Sequence, residues 1–290
     1  MKILHLSTND LHGGAAKAAY RLHKELIKCD IESIMLVQNK QSGDKNVIGP
    51  KNKFRKFLNL MRPTIDRILL KLTNKNCREQ RSLNILPSIT YKKIKEINPD
   101  IIHIHWIGGG FIPIEEIRKY DKPIVWTLHD MWAFSGAEHI LSNKGCYKHG
   151  YFSKECKKTN RCLLDKFIWY RKKRSWKKLD IQFVAPSDWM LLCVQNSFFS
   201  NKKNLLIHHG VDTDVFKPLE KSIAREILNL PQNKEIILFG AVHPDQEHKG
   251  FKYLQESLEH IKKQNVVLCV FGDASENYFD SLEIDFWKIE

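Results

Sequence analysis

Residues 1–37 read MKILHLSTNDLHGGAAKAAYRLHKELIKCDIESIMLV, and this stretch decides the fold class. A short apolar run at residues 3–6 predicts a buried strand, and Gly13 and Gly14 predict the turn that follows it. From residue 15 to residue 28 apolar side chains recur at helical spacing, and residues 34–37 form a second apolar run. Strand, glycine turn, helix and strand in this order are typical of a βαβ unit, so the sequence predicts an open parallel sheet.

The same rhythm continues along the chain. Further strands are predicted at residues 101–106, 123–128, 182–185 and 205–207, and a second βαβ unit at residues 235–271. We therefore expect an α/β protein with an N-terminal, doubly wound, Rossmann-like domain at residues 1–203, which includes a cysteine-containing loop at about 135–165. Residues 204–290 are predicted to form a second Rossmann-like domain, incomplete because it is shorter than the ~100–150 residues typical of a domain.

Composition narrows the class of protein. A chain of 290 residues with 42% hydrophobic and 28% charged residues is globular, which excludes a disordered tail, a collagen, a coiled coil and a small disulfide scaffold. The formal net charge of +14 predicts anionic partners or substrates. Seven cysteines, an odd number, favour reduced thiols, and no apolar run has the length of a signal peptide or a membrane span. The expected location is the cytoplasm.

Two basic segments raise the question of a surface partner. Residues 51–75 combine one apolar helical stripe with a basic remainder, which fits either contact with an anionic membrane or, the interpretation we favour, a helix with its apolar side in the core. Residues 166–178 interleave aromatic and basic side chains, a pattern that fits nucleic acid, a membrane interface or an inward-packing helix. Because no nucleic-acid motif accompanies the run, we expect no nucleic-acid partner and prefer the membrane surface among the functional interpretations.

Three strand ends carry candidate binding residues. Gly13 and Gly14 let the backbone approach a ligand, and the free N–H groups of the following helix start favour phosphate. His129 and Asp130 follow a buried strand and can hydrogen-bond a hydroxyl-rich ligand, or simply terminate the strand. Lys249 precedes a helix whose positive end already favours anions, so a lysine there suggests an anion held between the two, or a solvated loop lysine.

One loop also holds metal-ligand residue types. His139, Cys146, Cys156 and Cys162 could bind zinc, but their spacings of seven, ten and six residues differ from the short C-x₂₋₄-C of a strong motif. Reduced, packed thiols are therefore the preferred interpretation, and we expect no metal.

Taken in order, these residues resemble the nucleotide-sugar-dependent glycosyltransferases of family 4, which have the GT-B fold, and in particular those that build bacterial capsules and exopolysaccharides. The resemblance covers the chain from Met1 to about Gly272. The most specific run is Thr127-Leu128-His129-Asp130-Met131-Trp132-Ala133-Phe134. The other matching stretches are residues 1–5, 12–22, 103–106, 186–189, 210–216 and 238–251.

The resemblance implies a function. In that family two Rossmann-like domains bind donor and acceptor in a cleft, so Gly13 and Gly14 would approach the donor diphosphate and His129, beside Asp130, would contact the transferred sugar. Lys249 resembles the lysine that neutralises the leaving diphosphate. The expected reaction retains anomeric configuration without metal or cofactor, and transfers a sugar to a saccharide or lipid-linked saccharide, in the cytoplasm and at the inner face of the cell membrane.

One departure from the family pattern leaves an alternative open. The family's E-x₇-E element, whose glutamates hold the donor, does not appear after Gly272, since Glu276, Glu283 and Glu290 have the wrong spacing. The chain is therefore interpreted either as a glycosyltransferase or as a truncated, non-catalytic relative that binds an acceptor or a partner. A basic nucleic-acid-binding protein is the third hypothesis. An incomplete second domain is expected to expose a sheet edge and an apolar face.

Overall fold

The structure, a computed structural model, forms two compact units, Met1–Gly210 and Val211–Glu290. It describes residues 1–73, 80–140, 145–152, 156, 162–241, 247–261, 265–272 and 286–289. Each unit is an α/β layer structure and is described separately below.

The first unit is built on a seven-stranded sheet in which every neighbouring pair is parallel. Its order is β3-β2-β1-β4-β5-β6-β7, which is the doubly wound arrangement that the opening βαβ unit predicts. The direction of winding reverses between β1 and β4, so the loops after these strands diverge and leave a crevice at the carboxyl edge. The strands are β1 (Lys2–Asn9), β2 (Glu32–Asn39), β3 (Val47–Ile48), β4 (Ile101–Ile104), β5 (Ile124–Thr127), β6 (Ile181–Ala185) and β7 (Asn204–Leu206).

Five α-helices and two short 3₁₀ turns connect these strands in the part of the first unit that is described. The 3₁₀ turns cover Ile114–Lys119 and Cys146–His149. The helix before β7 begins with a side-chain cap, since Ser187 Oγ accepts a hydrogen bond from the Met190 N–H. The helices are α1 (Gly14–Lys28), α2 (Lys53–Thr73), α3 (Thr90–Ile97), α4 (Cys162–Trp176) and α5 (Asp188–Gln195).

The two faces of the first sheet differ in chemistry. Successive side chains of a strand point to opposite faces, so Leu4 and Leu6 of β1 enter the main hydrophobic core while His5 between them enters the other layer. That layer lies against α1, where the His23 ring stands 6.0 Å from the His5 ring. A strand that is buried on both faces therefore carries a polar layer on one side, and this layer reaches the carboxyl edge of the sheet.

Helix α2 contradicts the core-facing interpretation of residues 51–75. Its inward face is anchored by polar contacts: Arg62 donates to the Gly110 and Leu86 carbonyls, and Asp66 accepts from the Leu83 N–H. Leu70 is buried in the main core and Leu69 packs against it, but most of the predicted apolar stripe faces solvent. The exposed members are Phe54, Phe57, Leu58, Met61, Ile65 and Ile68.

Helix α4 favours the inward-packing interpretation of residues 166–178. Ile168, Trp169 and Trp176 are buried, and Lys172 is fully enclosed. Arg171 pairs with Glu115 at 2.7 Å, so part of the basic character is used within the unit. No helix in the described ranges is both long enough and apolar enough to cross a membrane.

The second unit holds a parallel sheet of three strands in the order β10-β9-β8. Its small core joins Phe251 and Leu258 of a helix to Leu268 and Val270 of the central strand. Because β7 pairs with β6 in the first sheet, the domain boundary lies after Gly210 and not at the predicted residue 203. The elements are α6 (Lys221–Ile227), β8 (Glu235–Gly240), a 3₁₀ turn (Glu247–Lys249), α7 (Phe251–Leu258), β9 (Val266–Phe271) and β10 (Phe286–Ile289).

Candidate functional site

The candidate site lies at the carboxyl edge of the first sheet, where ligands of open α/β proteins bind. The residues at the ends of β4 and β5 meet there and line a small cavity with both polar and apolar walls. Its lining includes His105, Trp106, Gly108, His129, Asp130 and His139. A Cβ atom at Gly108 would lie 2.6 Å from the Trp106 ring and 2.9 Å from His139, so this position requires a glycine.

Asp130 is the most heavily bonded group of the site. Its Oδ2 accepts from Trp106 Nε1 at 2.7 Å and from His139 Nδ1 at 2.6 Å, and its Oδ1 accepts from the Trp132 N–H at 2.9 Å. Ser82 Oγ lies 2.8 Å from the other ring nitrogen of His139. Burial alone would raise the pKa of Asp130, but His139 and the hydrogen bonds outweigh it and hold the pKa below the ordinary value. Asp130 is therefore a fixed carboxylate that orients its neighbours.

His129 ends a hydrogen-bonded row of three imidazoles. His5 Nδ1 lies 3.0 Å from His105 Nε2, and His105 Nδ1 lies 3.1 Å from His129 Nε2. On its other side, the His129 ring stacks on His209, with centroids 5.1 Å apart and an interplanar angle of 12°. We name His5, His105 and His129 the histidine row. It links the polar layer under α1 to the edge of the sheet.

The imidazoles of the row are neutral near pH 7. Burial, and then the neighbouring histidines, lowers the pKa of His5 and of His105 well below the ordinary value. Burial and His209 lower the pKa of His129 to about 4, although Asp130 acts in the opposite direction. His103, which bonds Thr127 Oγ1 beside the row at 2.8 Å, has a pKa of about 3 because it is buried. Uncharged imidazole donors and acceptors beside the Asp130 carboxylate suit a hydroxyl-rich ligand.

A buried lysine supports the loop that carries the site. Lys172 of α4 donates to the Gly136 carbonyl at 2.6 Å and to the Trp132 carbonyl, and its Nζ lies 3.8 Å from the centroid of the Trp132 ring. Desolvation lowers the pKa of Lys172 well below the ordinary value, even though Glu138, Asp130 and Asp165 oppose the shift. The Lys172 amino group thus acts as a structural hydrogen-bond donor to the loop that follows Asp130.

Gly13 and Gly14 lie where the sequence predicts, at the start of α1 after β1. Gly13 has φ +89°, a conformation that favours glycine, and Gly14 is the first residue of the helix. Apart from chain neighbours and the backbone of α1 itself, no heavy atom of the described residues lies within 4 Å of the position a Cβ would take at either residue. The N–H groups at this helix start are therefore open to an approaching anion.

Lys249 belongs to the second unit. It ends the 3₁₀ turn before α7, is exposed, and is followed by Gly250 with φ +78°. Within its unit it therefore occupies the predicted place, before a helix start. Most of the loop after β8 (residues 242–246) lies outside the described residues.

The candidate zinc cluster is not assembled among the described side chains. Cys146 and Cys156 form a disulfide, with Cα atoms 6.1 Å apart, so neither sulfur is available to a metal. His139 directs its ring nitrogens to Asp130 and Ser82. The side chain of Cys162 lies outside what the structure describes. The disulfide also corrects the expectation that these two cysteines are reduced thiols.

Comparison with known proteins identifies the family. The family model "Glycosyltransferase Family 4" matches residues 12–215, more than half of the chain. The chain belongs to glycosyltransferase family 4. The match spans the glycine pair at the start of α1 and the whole histidine and aspartate cluster except His5.

Curated relatives of this family 4 chain are glycogen synthases. The glycogen synthase of Clostridium novyi (strain NT) is 26% identical over 246 residues, which cover 70% of this chain and 48% of the relative. That of Streptococcus equi subsp. zooepidemicus (strain H70) is 30% identical over 224 residues, covering 62% of this chain and 44% of the relative. The chain thus spans about half the length of the curated relatives it matches.

Solved structures confirm the GT-B-like fold. Sucrose-phosphate synthase from Thermosynechococcus elongatus superposes with a TM-score of 0.56 at 14% identity, covering 96% of this chain and 64% of that one. Anabaena Alr3699/HepE, solved in complex with UDP-glucose, superposes with a TM-score of 0.54 at 14% identity, covering 100% and 69%. At these identities the likeness concerns the fold, which is the α/β, parallel-sheet class that the sequence predicts.

Several residues of the site are not predicted from the sequence alone. The sequence places His5 and His105 only within predicted strands. It suggests His139 as a zinc ligand and not as a partner of Asp130. One signal was present: His103 and His105 are two residues apart in a buried strand, so they share a face, and two polar side chains on a buried face need partners. Their partners come from strands that are adjacent only after folding.

Proposed function

We propose that this chain is a retaining glycosyltransferase that moves a sugar from a nucleotide-sugar donor to a saccharide or lipid-linked saccharide acceptor in surface polysaccharide synthesis. The observation that carries the proposal is the hydrogen-bonded cluster at the carboxyl edge of the first sheet, which joins the neutral imidazole of His129 to the site that the Asp130 carboxylate organises. Family membership and the glycogen synthase relatives support the reaction class. No cofactor is part of the proposal, because the nucleotide-sugar is itself a substrate.

Each candidate residue has a physical role in this reaction. His129 hydrogen-bonds the transferred sugar, and Asp130 fixes the loop beside it. In the first unit, the open N–H groups at Gly13 and Gly14 stabilise the negative charge of the diphosphate, which increases as the glycosidic bond to it breaks. In the second unit, Lys249 supplies a cation of the kind that stabilises phosphate charge. Placed dipoles and cations are the means by which a site can stabilise an oxocarbenium-like centre and a departing diphosphate.

Gly14→Ala tests the donor site without disturbing the fold. Gly14 has an ordinary φ and open space around its Cβ position, so alanine fits the helix, while the added methyl group obstructs close approach of a phosphate. We expect UDP-glucose or GDP-mannose to raise the melting temperature of the parent chain, because a ligand bound only by the native state stabilises it. In Gly14→Ala the unliganded melting temperature stays within a degree or two of the parent, and the affinity falls roughly tenfold, by ~1.4 kcal/mol.

Gly43→Ala is the matched control, since Gly43 also has an ordinary φ and an open Cβ position but belongs to the loop after β2 and not to α1. Lys249→Ala is expected to weaken nucleotide binding as well, whereas Lys252→Ala, an exposed lysine of α7 that pairs with Glu256, leaves it unchanged. Binding of saccharide acceptor without any nucleotide-dependent shift would support the non-catalytic relative instead. Tight, steeply salt-dependent binding to random oligonucleotides would support the nucleic-acid alternative.

We also propose that α2 rests on an anionic membrane surface, where a lipid-linked acceptor would be met. The exposed stripe that includes Phe54, Phe57 and Ile68 is flanked by exposed cations, and the acidic residue of the helix, Asp66, is buried. An apolar face with a basic border complements anionic lipid headgroups. The segment at residues 166–178 contributes less to this contact, because its tryptophans and Lys172 are buried.

Sedimentation with lipid vesicles tests this surface. We expect binding to vesicles that contain phosphatidylglycerol, weak binding to neutral vesicles, and a loss of about tenfold or more in the variant Phe57→Ser/Ile68→Ser, because two exposed apolar side chains no longer enter the interface. Phe167→Ser, which removes an exposed aromatic from α4, is the control. Equal binding of all three proteins would contradict a contact through α2.

A further inference from the structure

The hydrogen bonds of the histidine row restrict which ring nitrogen carries the proton in each of its three imidazoles. Its two contacts, His5 Nδ1 to His105 Nε2 at 3.0 Å and His105 Nδ1 to His129 Nε2 at 3.1 Å, run through both nitrogens of the middle ring. The proton that each contact needs must come from one of the two rings it joins. The tautomers of the three rings are therefore coupled.

Each ring of the row is uncharged and so carries a single N–H. Only two arrangements then place one proton in each contact. In the first, His5 donates from Nδ1 to His105, His105 donates from Nδ1 to His129, and His129 keeps its proton on Nδ1. In the second, every proton moves to the other nitrogen, and His129 donates from Nε2 and leaves Nδ1 bare.

The environment of His5, at the end of the row away from His129, determines which of the two arrangements is favoured. His5 is completely buried, and its Nε2 has no hydrogen-bond partner among the described residues. In the first arrangement this atom is a bare acceptor, and in the second it is an N–H donor with nothing to bond. Buried N–H groups without partners are rarer in proteins than buried acceptors without partners, which favours the first arrangement.

We propose that His105, backed by His5, is a positioning residue that holds His129 with its proton on Nδ1. The role of His129 in sugar binding rests on the proposed function, whereas its tautomer does not. In this state the Nδ1–H of His129, which lies outside the row, can donate a hydrogen bond. Its Nε2 accepts a hydrogen bond from His105. A donor fixed in this way selects a sugar oxygen that can accept, and no proton has to be rearranged when the sugar binds.

The tautomers can be read directly by ¹⁵N NMR on the full chain with labelled histidines. Two-bond ¹H–¹⁵N correlations distinguish a protonated from a bare ring nitrogen in each imidazole, and single variants assign the signals. We expect the Nδ1–H form for His129 in the unliganded protein at pH 7.5. The Nε2–H form as the major species would overturn the proposal, whether or not the chain has transferase activity.

Two variants test the coupling. His105→Gln places an amide near the former Nε2, which keeps the contact to His5 but loses that to His129, and His5→Phe removes the donor at the far end without touching His129. Both are expected to turn the single His129 form into a mixture of tautomers. His103→Gln is the control, because its amide can keep the bond to Thr127 and His103 lies outside the row. An unchanged His129 signal in both test variants would show that the row does not determine the tautomer of His129, and would overturn the proposal.

A kinetic and a metal measurement complete the test. If the chain transfers sugar, His105→Gln is expected to lower kcat roughly tenfold, the equivalent of one hydrogen bond in the transition state, with little change in the donor KM. Ligand atoms of His5, His103 and His105 lie within 4.8 Å of one another, so Zn²⁺ is titrated in the same NMR experiment. Stoichiometric zinc binding that shifts all three rings would overturn the proposal, because a metal would occupy the lone pairs that the row uses.

Discussion

At the scale of single residues, Asp130 shows how one carboxylate organises a site. It accepts from two side chains and one backbone N–H, and its depressed pKa indicates that the charged form is the one these partners stabilise. The variant Asp130→Asn keeps the shape of the side chain but removes its charge. It also turns an amide N–H₂ group toward N–H donors that need an acceptor. We expect the free energy of unfolding to fall by about 2 kcal/mol, as for a buried charged hydrogen bond that is lost.

Urea denaturation measures this change. Asp121→Asn serves as the control, because Asp121 is exposed in the loop before β5, and it should alter stability by no more than about 0.5 kcal/mol. If Asp130→Asn were as stable as the parent chain, the carboxylate would not be the centre of the network.

The buried imidazoles also predict how stability depends on pH. His5, His103, His105 and His129 have pKa values lowered by burial, so the unfolded chain binds protons below about pH 6.5 that the folded chain excludes. The free energy of unfolding therefore falls as the pH decreases from about 6.5 toward 4, by about 1.4 kcal/mol per pH unit for each proton fully excluded. Glu138, whose pKa burial and Asp165 raise to about 8, gives the opposite slope above pH 4.5, but as one group against four.

Urea midpoints at pH 8, 7, 6 and 5 check this prediction. The slope below pH 6.5 should be smaller in His103→Asn, which removes one excluded proton, and unchanged in His149→Asn, which alters an exposed histidine. A flat profile between pH 8 and pH 5 would mean that the histidine layer is protonated in the folded protein.

At the scale of elements, sequence periodicity located the helices and strands well but not their surroundings. The predicted strand at 266–271 and the predicted helix at 15–28 agree with β9 and α1 to within a residue. Buried strands with glycine turns produce local signals that need no knowledge of the neighbours. Helix α2 shows the limit, because a periodic apolar stripe at Phe54, Phe57 and Ile68 does not reveal that Arg62 and Asp66 supply the inward face.

In the candidate site, too, some features could be predicted from the sequence and others could not. The positions of His129, Asp130 and the glycine pair at the carboxyl edge of the sheet could be predicted, because they follow predicted parallel strands, and their part in ligand binding stays a prediction. The contact of His5 with His105 could not, since it joins positions 100 residues apart on β1 and after β4. Strand order decides which side chains meet, and strand order is a property of the folded sheet.

At the scale of the whole molecule, the sheet of the second unit exposes apolar side chains at its edge strand β8 and at the end of β9, whereas Val267 and Cys269 on the same face are buried. Leu238 of β8 is 62% exposed and Phe271 of β9 is 46% exposed, while the opposite face packs against α7. Large apolar side chains exposed beside an unpaired edge strand favour association between copies. We therefore expect the purified 290-residue chain to elute from a size-exclusion column as a concentration-dependent mixture, with the larger species growing as the protein is concentrated.

Leu238→Lys should shift that mixture toward the monomer by placing a charge on the apolar face. Leu219→Lys is the matched control, because Leu219 is equally exposed at 58% but lies in the segment before α6 and not on the sheet. If lysine at both positions had the same effect, the added charge alone would explain the change and the sheet face would not be the contact. A sharp monomer peak of the parent chain at every concentration would mean that the exposed face is tolerated in solution, and the predicted association would be wrong.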